Sequence, residues 1–188
     1  MLIMTITGEQ FIGNKRSAKG NTTFIGNRAD LKFYEATVEE IDEAAQLAHK
    51  AFLLYRNFPD RIKANFLEAI VSGVEANRTT LLQTAMQETF LAEARLNGEI
   101  TRTIHQINLF VQLLKEGSWV KAIIDTAQPN RSPLPKPDIR QIQKAIGVVI
   151  VFGASNFPFA FSTAGGDTIS ALAAGCTVVY KAHPAHPA

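Results

Sequence analysis

The feature that most constrains the fold of this 188-residue chain is the run Gly147-Val148-Val149-Ile150-Val151-Phe152-Gly153, together with the segment after it. A continuous β-branched run of this kind predicts a strand buried on both faces, as in a parallel sheet covered by helices. After it come Ala154, Ser155, Asn156 and Phe157, then Pro158 at a position suited to the first turn of a helix, and a small-residue stretch that reads as helical to Ala174 and closes at Gly175. A second β-branched strand, Thr177-Val178-Val179-Tyr180-Lys181, comes directly next. Strand, loop, helix and strand make a crossover unit whose first loop leaves the carboxyl edge, where open α/β sheets place their ligands.

Two details inside that unit carry information. Gly165 and Gly166 fall within the expected helix at a cost of about 1 kcal/mol each relative to alanine, which fits a neighbouring backbone that comes close. Asn156 either turns a carboxamide with two N–H donors towards the ligand crevice or caps the helix; the residue alone leaves both readings open.

Upstream the pattern is helical. Thr37-Val38-Glu39-Glu40 forms a capping box, and Val38, Ile41, Ala45, Ala48, Phe52 and Tyr55 predict one buried stripe that lasts until Asn57 and Pro59. Ile62, Phe66, Ile70 and Val74 predict a second helix, and Leu81, Leu82, Ala85 and Met86 a third. Ile100, Ile104, Ile107, Phe110, Val111 and Leu114 predict a fourth that stops at Lys115 and Gly117. Before them, residues 5–34 alternate short apolar stretches with glycines, the pattern of hairpins. Prolines 129, 133, 135 and 137 mark the clearest internal boundary, and Asp138–Gln143 alternates like a strand wet on one face, at an edge or interface. The resulting division is 1–128, a linker and strand over 129–146, and the crossover unit over 147–188.

Composition narrows the function classes. Hydrophobic residues at 46% and charged residues at 19% suit a globular protein, and a net charge of +2 without any Lys/Arg run gives no reason to expect a nucleic-acid partner. The apolar start Met1–Thr5 has neither a basic leader nor the length of a membrane span, so a cytoplasmic protein without membrane contact is expected. Cys176 is the sole cysteine, which excludes an internal disulfide. Together with His49, His105, His183 and His186 it offers no metal-ligand spacing.

Four segments taken together resemble the aldehyde dehydrogenase superfamily: Phe152-Gly153-Ala154-Ser155-Asn156-Phe157-Pro158, Ala164-Gly165-Gly166-Asp167-Thr168, Ala173-Ala174-Gly175-Cys176 and Lys181-Ala182-His183-Pro184-Ala185-His186-Pro187. Within it they are most similar to NADP-linked 2,5-dioxopentanoate (α-ketoglutarate semialdehyde) dehydrogenases and bacterial NADP-dependent fatty-aldehyde dehydrogenases. The likeness extends upstream through Glu88-Thr89, Glu93-Ala94-Arg95-Leu96-Asn97-Gly98-Glu99 and Leu109-Phe110, so it covers nearly the whole chain. It implies a partial aldehyde dehydrogenase fold of the α/β class: N-terminal helices, the start of a Rossmann-like parallel sheet, and an oligomerisation strand around Asp138–Gln143. A homo-oligomer, dimer or tetramer, goes with it.

By position, the resemblance makes Asn156 the oxyanion-hole asparagine. Its amide would donate to the oxyanion of the thiohemiacetal formed when a cysteine thiolate attacks a small aldehyde, an interaction worth about 3 kcal/mol in comparable sites. Hydride then passes to the nicotinamide and water hydrolyses the thioester. Phe152, Gly153, Ala154 and Ser155 would line the adenosine part of the cofactor cleft, and Lys181 would bond the adenine ribose. Pro184 stands where NAD-preferring relatives carry an acidic residue. Without that carboxylate a 2′-phosphate is not repelled, and Lys181 with any protonated fraction of His183 attracts it, so NADP is the expected cofactor, with NAD the alternative. Cys176 precedes a buried strand and matches a structural position, so it is not the nucleophile.

The nucleophile, the general-base glutamate and the pyrophosphate loop are expected beyond residue 188, because the sequence amounts to roughly a third of a typical family chain; alone it is expected to be inactive. The competing reading is a non-catalytic remnant that serves as an oligomerisation module through Asp138–Gln143. Phe90 and Thr177 depart from the branch's usual glycine and proline.

Overall fold

The computed structural model describes residues 6–28 and 30–188; the Met1–Thr5 segment, considered above as a leader, lies outside the described residues. The chain enters through two short antiparallel hairpins, β1 (Gln10–Ile12) with β2 (Lys15–Ser17), and β3 (Thr23–Ile25) with β4 (Lys32–Tyr34). Helix α1 (Val38–Tyr55) starts at the expected capping box. The Glu40 amide donates to Thr37 Oγ1 at 3.2 Å, and the Thr37 amide donates to Glu40 Oε2 at 2.9 Å. Buried Glu40 also accepts from the Ser17 hydroxyl and from the Lys19 amide at 3.1 Å, which ties the first hairpin to the helix. These donors, Ser17 foremost, hold its carboxyl below the usual carboxylate range.

The stripe of α1 is only half buried. Val38 is 77% exposed and Ile41 is exposed too, whereas Phe52 is buried and Tyr55 partly so. Helix α2 (Asp60–Ala76) keeps only the second half of its expected row: Ile70 and Val74 pack against the core, whereas Ile62 and Phe66 are exposed and Lys63, Ala64 and Leu67 face inwards instead. Small Ala64 lets α2 lie close to α4 (Glu93–Glu116), which presents Ile107, Val111 and Leu114 to it; these residues form a core with Ile169 and Ala173. Lys63 keeps its charge paired while buried, 3.1 Å from Asp60 and over the Trp119 ring. Helix α3 (Arg78–Thr89) packs Ala85, with Leu81, Leu82 and Met86, against Leu96, Ile100, Ile104 and Phe159 in a second cluster. Each fully buried large side chain contributes about 1.5–3 kcal/mol. Helix α4 stops at Gly117, which is left-handed with φ +84°, as its sequence implies.

A strand not foreseen in the sequence, β5 (Ile123–Asp125), pairs antiparallel with β6 (Ile139–Gln141) across the proline-rich connection. All three residues of β6 are exposed, not one face alone.

The crossover unit is present, with two corrections. Strands β7 (Val148–Phe152) and β8 (Thr177–Lys181) pair in parallel. However, β7 is not buried on both faces: Val151 is buried while Ile150 is 63% and Phe152 is 70% exposed. Helices α1 and α5 (Gly166–Ala173) pack against the pair and are joined by the Tyr55 hydroxyl donating to the Leu172 carbonyl at 3.0 Å. The second correction is that the helix does not begin at Pro158. Residues 157–165 form turns, and Gly165, extended, precedes the first helical residue. A Cβ on Gly165 would stand 2.5 Å from both the Ala160 oxygen and the Ser162 nitrogen, so the inferred close backbone approach is real but belongs to a turn. Asn156 therefore caps no helix.

Candidate active site at the carboxyl edge of the parallel pair

Register brings the two loops of interest together. Phe152 lies opposite Lys181, and the Gly153 amide donates to the Lys181 carbonyl at 2.9 Å, so the loops after β7 and β8 leave from one edge. Gly153 makes room for Tyr180: a Cβ there would sit 2.0 Å from the Tyr180 hydroxyl and 2.8 Å from its Cζ. Burial pushes the pKa of that hydroxyl up. Ala154, partly buried, donates to the Phe161 carbonyl at 3.0 Å, and Ser155 is partly buried beside it.

Asn156 is exposed, and the backbone on either side of it is held from α4. Arg95 Nη2 donates to the Asn156 carbonyl at 2.6 Å, and the Arg95 guanidinium lies 5.2 Å from the centre of the Phe157 ring. Phe157 meets Phe161 edge-on, with ring centres 5.8 Å apart. One turn further along α4, buried Glu99 accepts with Oε1 from the amides of Phe159 at 2.8 Å and Ala160 at 2.9 Å. Its other oxygen, Oε2, is buried and meets no hydrogen-bond partner among the described residues. Sequence reasoning read Arg95 and Glu99 only as part of a resembling segment and missed both as site residues. Their spacing of four, on one face of a helix, was the available signal.

On the second loop Lys181 and Pro184 are exposed. His183 turns back on its own loop: Nδ1 accepts from the Ala185 amide at 3.1 Å, which leaves Nε2 to carry the ring N–H. The rest of the loop docks on the end of α3. His186 Nδ1 lies 2.6 Å from Oε2 of buried Glu88, and the Ala188 amide donates to both Glu88 oxygens at 3.2 and 3.3 Å. Asn27 donates to the Glu88 carbonyl at 2.6 Å and so ties the second hairpin to the same point.

Cys176 is a buried free thiol at the amino end of β8. At about 3.3 Å per residue it lies about 16 Å along the strand from the edge that bears Asn156 and Lys181. The single thiol of these residues and the site are at opposite ends of the sheet.

The parallel strand–turn–helix–strand unit opens both of its loops at one carboxyl edge, where open α/β sheets place ligands. The chain belongs to the aldehyde dehydrogenase family, whose model matches residues 26–188. It is 48% identical to an alpha-ketoglutaric semialdehyde dehydrogenase of Acinetobacter baylyi and 44% identical to alpha-ketoglutaric semialdehyde dehydrogenase 2 of Azospirillum brasilense, matched over 96% and 97% of its own length. It spans 36% of the length of each of these two relatives. Among solved structures it superposes on a betaine aldehyde dehydrogenase of Staphylococcus aureus in complex with NAD+ with TM-score 0.81, 18% identity and coverage of 97% of this chain and 37% of that one. A NAD-dependent benzaldehyde dehydrogenase of Corynebacterium glutamicum gives 0.79, 22%, 100% and 40%. At such identities these two show the fold alone.

Proposed function

We propose that the protein oxidises a small aldehyde, 2,5-dioxopentanoate, to the carboxylic acid 2-oxoglutarate with NADP. The observation that carries this reading is the single edge that unites Asn156 and Lys181 through the Phe152–Lys181 register. The two relatives with the identities given above, both named for a semialdehyde of this kind, support the substrate.

The residues present fit a nicotinamide dinucleotide. Phe152 is exposed beside a turn in which Gly153 brings the backbone close, and Lys181 offers an exposed ammonium with no ion pair among the described residues. When bound, the cofactor accepts the hydride. The chain's own residues bind and orient: Phe152, Gly153, Ala154 and Ser155 line the adenosine side, and Lys181 donates to its ribose. Asn156 donates its carboxamide N–H to the developing oxyanion, an effect of about 3 kcal/mol for a preorganised donor. Pro184 keeps the ribose end free of a carboxylate. A carboxylate about 4 Å from a phosphate would cost roughly 1–4 kcal/mol per pair of unit charges, depending on solvent screening. His183 contributes its Nε2 edge, since Nδ1 is taken by the Ala185 amide, and the exposed Lys181 ammonium supplies the charge. Cys176 is structural, and the nucleophile and general base are assigned to residues outside these 188.

The test is the ratio of kcat/KM for NADP to that for NAD in the full-length enzyme. NADP is expected to lead, and Pro184→Glu to shift the ratio towards NAD by at least tenfold. A wild-type preference for NAD would refute the cofactor assignment.

A second role is supported by the β5–β6 ribbon, whose Ile123, Ile124 and Ile139 are exposed alongside unpaired outer backbone edges. We assign it to homo-oligomer contact, as a dimer or tetramer. Light scattering should show a smaller assembly for Ile124→Lys. A cytoplasmic location accompanies this reading; among the described residues no helix is long and apolar enough to cross a membrane.

A further inference from the structure

We infer that Arg95 is the residue that recognises the carboxylate of an anionic ω-oxo acid substrate, an inference that rests on the aldehyde-oxidising role of Asn156 proposed above. Arg95 is exposed in the first turn of α4, and of its five N–H groups only the one on Nη2 is used, donating to the Asn156 carbonyl at 2.6 Å. The remaining N–H groups make no hydrogen bond, and the guanidinium no ion pair, with any described residue.

The guanidinium is also held in orientation. It lies 5.2 Å from the centre of the Phe157 ring, which is itself braced edge-on by Phe161. The ring face and the Asn156 carbonyl together limit the movement of the guanidinium, and a fork with free N–H groups matches the geometry of a carboxylate. Helix stability offers no reason for a cation here, since the first turn of a helix favours anions. Phe157 and Phe161 in turn form an apolar wall next to Asn156, suited to the methylene stem of a short substrate.

Arg95 grips the carbonyl of the same residue whose carboxamide is proposed to hold the reacting aldehyde oxygen, so its free N–H groups belong to the surroundings of that oxygen. In 2,5-dioxopentanoate four C–C bonds of about 1.5 Å separate the carboxylate carbon from the aldehyde carbon, an extended span of about 5 Å. A short ω-oxo acid can therefore engage Arg95 and Asn156 at once. A neutral aldehyde of the same length would engage only Asn156.

The experiment compares the full-length enzyme with its Arg95→Gln and Arg95→Lys variants on 2,5-dioxopentanoate and on pentanal. For Arg95→Gln, whose amide can still donate to the Asn156 carbonyl, kcat/KM on the semialdehyde is expected to fall at least tenfold more than kcat/KM on pentanal, chiefly through KM. Arg95→Lys, which keeps the charge without the fork, is expected to recover part of the loss. The KM of the wild type for the anion should rise with salt, and that of Arg95→Gln should not. Equal losses on both substrates would show that Arg95 only braces the Asn156 turn, and would overturn this inference while leaving the aldehyde-oxidising role intact. Failure of the wild type to oxidise either aldehyde would overturn both.

Discussion

Replacing Glu99 by leucine removes the anchor that holds the Asn156 turn against α4, and the cost can be worked from the contacts. Glu99 is 6% exposed, and its Oε1 is the acceptor for two backbone amides, those of Phe159 and Ala160, at 2.8 and 2.9 Å. Leucine fills much of the same volume but accepts nothing, so two buried N–H groups lose their partner at about 1–3 kcal/mol each. Against this stands relief of a buried charge whose Oε2 has no partner, which offsets a share of the loss. The net expectation is a destabilisation of about 3–4 kcal/mol, and for a chain of this size each kcal/mol lowers Tm by about 2–4 °C. Glu99→Gln keeps one oxygen for the two amides and gives up only the charge assistance, so about 1–2 kcal/mol is expected. Thermal melts followed by circular dichroism give the totals. Amide hydrogen exchange gives the location, since Phe159 and Ala160 should lose protection in Glu99→Leu far more than the core of α4 does. A leucine variant within 1 kcal/mol of wild type, or one whose exchange at these two amides is unchanged, would refute the assignment of Glu99 as the anchor of this turn.

Other perturbations probe different parts of the same framework. Gly153→Ala places a methyl on the Tyr180 hydroxyl and should lower stability by about 1–3 kcal/mol, with Tyr180→Val in the same chain restoring most of it; lack of rescue in a double-mutant cycle would separate the two positions. Glu40 has its folded pKa lowered, so its contribution is present above the ordinary value of 4.5 and is lost as pH falls through the lowered value; urea unfolding of Glu40→Gln should show a flatter acid limb than wild type. Cys176→Ala in the full-length enzyme should leave kcat within threefold and cost about 1–2 kcal/mol of stability, whereas loss of turnover by a thousandfold would make Cys176 the nucleophile.

How far each element could be read in the sequence depends on the range of the interactions that shape it. The start of helix α1 could be read to the residue because its capping box joins Thr37 and Glu40, three positions apart, and needs nothing else to form. The first half of the buried row of α2 was misread because Ile62 and Phe66 have the same helical spacing as Lys63 and Leu67, one position round; only the arrival of α4 decides which row turns inwards, and it selects the one beside small Ala64. The same holds at the site. Asn156 and Lys181 stand out in short motifs, so the strand pattern alone puts their loops at one edge. The start of α5 could not be placed, because the turn over residues 157–165 depends on contacts from far along the chain: Glu99 accepts from the Phe159 and Ala160 amides at sequence separations of 60 and 61. The same turn presents Asn156 and Phe157 to Arg95. The residues that shape the proposed chemistry most directly are thus those whose role is invisible until α4 is packed. A turn defined by a distant carboxylate also keeps its geometry only while that packing holds, so destabilising α4 should reduce activity through the Asn156 turn before it unfolds the sheet.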